Sequence, residues 1–251
     1  MNIFAIEDDT AATIELRVAA GRADFYPGPD GRVDVDVSGS GAEFVTVEQV
    51  GRVIMIREER RLFGGRTVNI RVTAPAGTNL DASVASMDLC SRGAQLGRVN
   101  LHTASGNVDL GLVETLIARS ASGDITVESC RTNCEVSSAS GDFRAQNVEG
   151  DLLVSTASGD ISADRVEGRS EIKSASGDVR LDCCRGGQIE LNSMSGDVTI
   201  GIPAGTRVDA QIDSLAGTVR FPPKASGAEP TRSARLKART VSGDIEVRRV
   251  E

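Results

Sequence analysis

Asp124, Asp142, Asp160, Asp178 and Asp197 each close a Ser-Gly-Asp tripeptide, and their regular spacing offers the clearest opening for chemistry in this chain. If each tripeptide turns the same corner of a repeating coil, the carboxylates stand about 4.8 Å apart. Such a row repels itself unless each member is paired, hydrogen-bonded or bridged by a hard cation. Calcium is the natural candidate, since it takes six to eight oxygens at about 2.3–2.6 Å. Calcium-binding β-rolls, however, draw Asp from facing turns of a short glycine-rich repeat, and here each coil offers one. The reading adopted is therefore structural: each Asp accepts a backbone N–H in an Asx-turn.

The other reactive residue types are read in the same way. Cys130, Cys134, Cys183 and Cys184 invite a zinc reading, with Cys90 apart. The two pairs are three coils apart, or about 14 Å at one strand spacing per coil. Zn–S bonds of about 2.3 Å cannot span that. Cys130, Cys134 and Cys184 fall on inward columns, where a free thiol acts as a small hydrophobe. His102 is the only histidine and lies between inward Leu101 and Thr103, so it points outward without a dyad partner. No Gly-x-Ser-x-Gly elbow or glycine-rich phosphate loop is present. No catalytic residue, cofactor-binding residue or metal ligand is assigned, and no cofactor is expected.

What must position these residues is a repeat. Ser-Gly-Asp or a near variant occurs at Ser105-Gly106-Asn107, then with Gly123, Gly141, Gly159, Gly177 and Gly196, and again at Ser242-Gly243-Asp244. From Gly106 to Gly196 the glycine steps are 17, 18, 18, 18 and 19 residues. A fixed period marks stacked units that bury their faces against each other. Two residues after each glycine stand Val108, Ile125, Phe143, Ile161, Val179, Val198 and Ile245; four after stand Leu110, Val127, Ala145, Ala163, Leu181, Ile200 and Val247. That alternation is a short strand with one buried face. After a polar turn, Cys134 and Val136, Leu152 and Val154, Ser170 and Ile172, and Ile189 and Leu191 mark a second strand. Each of these is followed two positions on by a hydroxyl, Ser138, Thr156, Ser174 or Ser193. The glycine is assigned to a sharp corner needing φ > 0. The fold predicted is all-β: a single-stack β-solenoid of about eighteen residues per coil.

The ends of the repeat differ from its middle. Pro75-Ala76-Gly77-Thr78 and Pro203-Ala204-Gly205-Thr206 are identical, and each leads to a degenerate corner, Ser86-Met87-Asp88 and Leu215-Ala216-Gly217-Thr218. Residues 1–65 alternate as β without the corner and are read as a meander capping the solenoid of 66–251, the whole forming one structural domain. Loops at 58–66 and 222–234 are predicted at the surface, and Ile245 and Val247 are expected to close the last coil.

Composition excludes some functions. The net charge of −8 argues against a broad nucleic-acid surface. With no Trp, one Tyr and six Phe, there is little material for stacking on bases or sugars. No segment is apolar enough to span a bilayer, Met1 to Thr10 lacks the basic region of a secretory signal, and the odd cysteine count suits reduced thiols. The expected location is cytoplasmic, without direct membrane insertion.

With these columns in view, the chain resembles a bacterial family of unknown function described as β-strand-repeat proteins, often labelled "putative adhesin". The resemblance rests on the Ser-Gly-Asp-Ile/Val corners and on the Ile/Val-x-x-Pro-x-Gly step before the first and last repeats, and covers residues 66 to 251. It implies the architecture and transfers no catalytic residue. The expected function is a non-enzymatic scaffold or protein-binding module, using the flat faces and the two loops. Two alternatives stand beside it: self-assembly into a homo-oligomer through the Ala-lined corner edge or the sheet ends, and an enzyme acting on a polymer along a groove. The last would need acidic residues and aromatic platforms facing one groove.

Overall fold

The structure, a computed structural model, describes residues 2–6, 11–59, 67–222 and 232–251. Among these the only helix is a single 3-10 turn, Ala42–Phe44, and every other element is a β-strand. The chain is all-β. Its backbone groups into two units, Met1–Glu128 and Ser129–Glu251, taken here in reverse order because the second is the more regular.

In the second unit each repeat supplies two strands, and equivalent strands pair in parallel. Cys134 lies opposite Leu152, Leu152 opposite Ser170, and Ser170 opposite Ile189. The other ladder sets Phe143 opposite Ile161, then Val179, then Val198. Corner partners on successive rungs are 18 or 19 residues apart. The side chains between the two ladders, among them Leu152, Ile161, Ile172, Val179, Leu181, Leu191 and Ile200, are at most 1% exposed. Each contributes about 1.5–3 kcal/mol of burial. A slip of one residue would turn a whole row to solvent, so the apolar column fixes the register.

The closing edge is not where the sequence places it. Arg232–Ser242 pairs with Gln188–Ser195 on one side and with Thr206–Ala216 on the other. Ile245–Val250 likewise pairs with both Val198–Pro203 and Val219–Arg220. Residues 232–250 are therefore an interior rung. Among the described residues the outermost rung of this unit is 206–220, which precedes them in the chain.

The first unit uses the same device. Thr13–Arg17 lies parallel between Val53–Glu58 and Thr78–Val84, and Ala20–Pro27 lies between Val68–Ala74 and Ser86–Ser91. The antiparallel meander expected over 1–65 is thus met only in part. Among the described residues antiparallel pairing is confined to Arg32–Ser38 with Val68–Ala74, Asn2–Ala5 with Arg32–Ser38, and Val45–Val50 with Val53–Glu58. Residues 13–27 are parallel rungs because their apolar rows, Ile14 and Leu16, then Ala23 and Phe25, complete the buried columns at no more than 1% exposure. Of the two loops predicted at the surface, 60–66 and 223–231 lie outside the described residues.

Candidate functional site

The Ser-Gly-Asp corner is a hydrogen-bond ladder, and its bonds run between rungs. In the second unit the backbone N–H of Asp160 donates to Asp142 Oδ1 at 3.0 Å, Asp178 to Asp160 at 2.9 Å, Asp197 to Asp178 at 2.8 Å, and Asp244 to Asp197 at 2.9 Å. Thr218 N–H then donates to Asp244 Oδ1 at 2.7 Å. In the first unit Asn107 N–H donates to Asp88 Oδ1 and Asp124 N–H to Asn107 Oδ1. The local Asx-turn expected from sequence is replaced by this rung-to-rung bond. In each of these carboxylates one oxygen meets the amide of the next corner, which offsets repulsion along the row. Among the described residues no group of three His, Cys, Asp or Glu side chains is placed to hold a metal ion.

The glycine of the corner is required mainly by close approach. A Cβ on Gly177 would lie 2.5 Å from the Gly159 carbonyl oxygen, and one on Gly159 would overlap the Gly141 carbonyl. Only part of the column has positive φ: Gly177 at 116°, Gly196 at 117° and Gly243 at 134°. The corner accordingly has two forms. At Gly106, Gly123, Gly141 and Gly159 the glycine N–H donates to the hydroxyl three residues earlier, on Thr103, Ser120, Ser138 and Thr156, at 2.9–3.1 Å. At the three positive-φ corners the Ser-Gly peptide is turned over. The hydroxyls of Ser174, Ser193 and Thr240 now donate to the carbonyls of Ser176, Ser195 and Ser242 at 3.2 Å. The freed Gly196 and Gly243 N–H groups donate to the adjoining rung, to Ser242 and Ala216 carbonyls.

The cysteines are all free. Cys130, Cys134 and Cys184 are buried, on the inward columns predicted for them. Cys130 donates to the Asn133 carbonyl at 3.2 Å. The hydrogen bond with Cys130 and burial push the Cys134 thiol well above its ordinary range. Burial pushes Cys184 up to about 12. His102 is exposed between buried Leu101 and Thr103. A shallow open depression is lined by Glu135, Ser137, Leu153, Ser155, Glu171 and Lys173, without an aromatic side chain. Its Glu171 is tied to Lys173 at 2.8 Å and to Arg169 at 2.6 Å. The Lys173 hydrogen bond holds its carboxyl below the usual range. That suits an ion pair on a strand face and is not the arrangement of a general acid.

The stacked corners and paired columns extend over nearly the whole described chain, and a family model described as Toastrack DUF4097 matches residues 8–248. The chain belongs to the Toastrack DUF4097 family. Among solved structures it is similar to a "putative adhesin" from Parabacteroides distasonis (12% identity, TM-score 0.45, covering 99% of this chain and 95% of that one). It is also similar to a "putative lipid binding protein" from the same organism (14%, 0.48, 100% and 96%). A "putative adhesin" from Bacteroides fragilis is a third (14%, 0.35, 98% and 95%). No curated protein matches.

One surface feature of this Toastrack chain escaped the sequence reading. The outward residue before each corner serine is alanine at Ala104, Ala121, Ala139, Ala157 and Ala175. On the last rungs of the second unit it becomes Met194, Val241 and Leu215, which are 62%, 51% and 86% exposed. The register places Met194 beside Val241 and Val241 beside Leu215. The signal was available in the aligned corners, as a switch from small to large apolar residues, and was hidden only by the out-of-order last rungs.

Proposed function

We propose that this chain is a non-enzymatic β-solenoid, of about eighteen residues per coil with antiparallel strands covering its first rungs, that works in the cytoplasm as a protein-binding scaffold. The observation that carries the reading is the apolar row Met194–Val241–Leu215. Contiguous exposed apolar side chains mark interaction sites, whereas isolated ones do not. Elsewhere on this column alanine is used, so the large side chains are a local departure from the repeat. The partner is a protein surface with a complementary apolar strip. The acidic balance and scarcity of aromatics support neither a nucleic acid nor a sugar polymer.

The test compares the full chain with a Met194→Ser/Val241→Ser/Leu215→Ser variant as baits in a bacterial lysate, with mass-spectrometric identification. Partners held by the parent and lost by the variant are expected, and they should be indifferent to calcium chelation. Identical capture by both baits would refute the assignment of this row.

A further inference from the structure

We infer that the rung 206–220 is the docking edge for a second copy of this chain, added antiparallel to Thr206–Ala216. This goes beyond the protein-binding reading and uses a different row of residues.

Three observations converge on this edge. Among the described residues, Thr206–Ala216 is paired on one side only, through ten register positions with Arg232–Ser242. No described residue pairs with its other side, and an open strand edge of that kind templates strand addition. Second, its inward row is wet. Val208 and Ile212 are only half-buried and Ala210 is exposed, while Leu236 and Ala238 on the adjoining strand are at 0%. Val219, on the other strand of the same rung, and Phe221, just past its end, are each 43% exposed. These are core positions that lack their next layer. Third, the first unit covers its equivalent strands with antiparallel ones, Arg32–Ser38 over Val68–Ala74 and Val45–Val50 over Val53–Glu58. Stacked repeats need such caps, and the described residues supply none over 206–220.

The sequence of the edge names the occupant. Turned about Ala210 by a two-fold axis, the strand pairs with itself antiparallel. Arg207 meets Asp213, Val208 meets Ile212, Asp209 meets Gln211 and Thr206 meets Ser214. Directly opposite residues share a face, so the wet apolar row meets its own copy and the charges pair on the outside. Moving the axis to Gln211 sets Asp209 against Asp213. Moving it to Asp209 sets Arg207 against Gln211 and Asp213 against Gly205. One register satisfies the row, and it is isologous, as a closed two-fold dimer requires. Asp213 already lies 3.5 Å from Arg239 on the adjoining rung, so the incoming Arg207 joins an existing charge pair.

The test is the mass of the full chain by sedimentation equilibrium from micromolar to millimolar concentration. The expected result is a one-chain to two-chain transition. Arg207→Asp, which sets Asp against Asp213, is expected to weaken it by about tenfold or more. Arg207→Asp/Asp213→Arg is expected to restore it. Both positions are exposed, and circular dichroism checks that each variant folds. A one-chain mass throughout, or a dimer indifferent to Arg207→Asp, overturns the inference. The Met194/Val241/Leu215 variant leaves register positions 206–214 intact, so loss of a captured protein partner with the dimer retained would be a result about the apolar row alone.

Discussion

Replacing Gly159 by alanine isolates the reason that glycine recurs at the corners. Gly159 has no positive φ, yet a Cβ there overlaps the Gly141 carbonyl on the preceding rung. Relieving that contact means separating two hydrogen-bonded rungs, and overpacking of this kind costs about 1–3 kcal/mol. Gly177→Ala carries the same approach, 2.5 Å to the Gly159 carbonyl, and adds a φ of 116°. Forcing alanine there adds about 1–3 kcal/mol. Gly51→Ala is the complementary control, with φ of 59° and nothing within 4 Å; it is expected to cost about 1 kcal/mol. In a chain of this size each kcal/mol moves Tm by about 2–4 °C. The expected order of Tm loss by calorimetry is therefore Gly177→Ala, then Gly159→Ala, then Gly51→Ala, with Gly159→Ala about 2–12 °C below the parent. If Gly159→Ala were no worse than Gly51→Ala, the close-approach argument would be wrong, and positive φ would remain a reason for glycine only at Gly177, Gly196 and Gly243.

Asp178→Asn keeps the oxygen that accepts from Asp197 N–H and is expected to change stability by less than about 0.5 kcal/mol, whereas Asp178→Ala is expected to lose about 1 kcal/mol in urea titration; Asn107 already fills this role in the first unit. Cys90 and Cys183, half-buried, are expected to react with a disulfide reagent in the native protein, while Cys130, Cys134 and Cys184 react only at the rate of unfolding; five equally fast thiols would contradict the burial. Glu171 and Asp34 are held below the usual carboxylate range by Lys173 and Arg32. Their stabilisation is present above the unfolded carboxylate pKa, about 4, and fades as pH falls through the lower folded values. Lys173→Met should reduce the acid slope of Tm against pH, and an unchanged slope would remove Glu171 from the account.

The interior of the fold was legible because the repeat writes the same information several times. Ile161, Val179 and Val198 announce one buried row, and a row that recurs at a constant step can pair with itself in one register. The ends were not legible. Nothing local to Thr206–Ala216 or Arg232–Ser242 says which lies outside, since both carry the alternation of a rung strand and a degenerate or full corner. Their order is decided by long-range parallel pairing. The same holds for Thr13–Arg17, whose Ile14 and Leu16 suit a meander as well as an interposed rung. The corner was legible in position and misread in cause: sequence shows that glycine is needed, but the oncoming carbonyl belongs to a different rung. The ladder from aspartate to the next amide was missed for that reason too.

The interposed rungs have a consequence for the order of synthesis. Thr206–Ala216 leaves the ribosome before Arg232–Ser242, yet among the described residues that later strand is the one it pairs with. Until residues 232–242 emerge, the earlier strand has no seat, and Gln188–Ser195 is the growing end of the stack. Within the first unit Thr13–Arg17 must wait for strands made well after it. Assembly therefore finishes with a late segment sliding between neighbours, and a nascent chain halted before residue 232 forfeits two layers at once. The same latch acts in reverse: a protease or unfoldase pulling on residues 232–250 must break ladders on both sides of that segment, so the fold resists unravelling from that end.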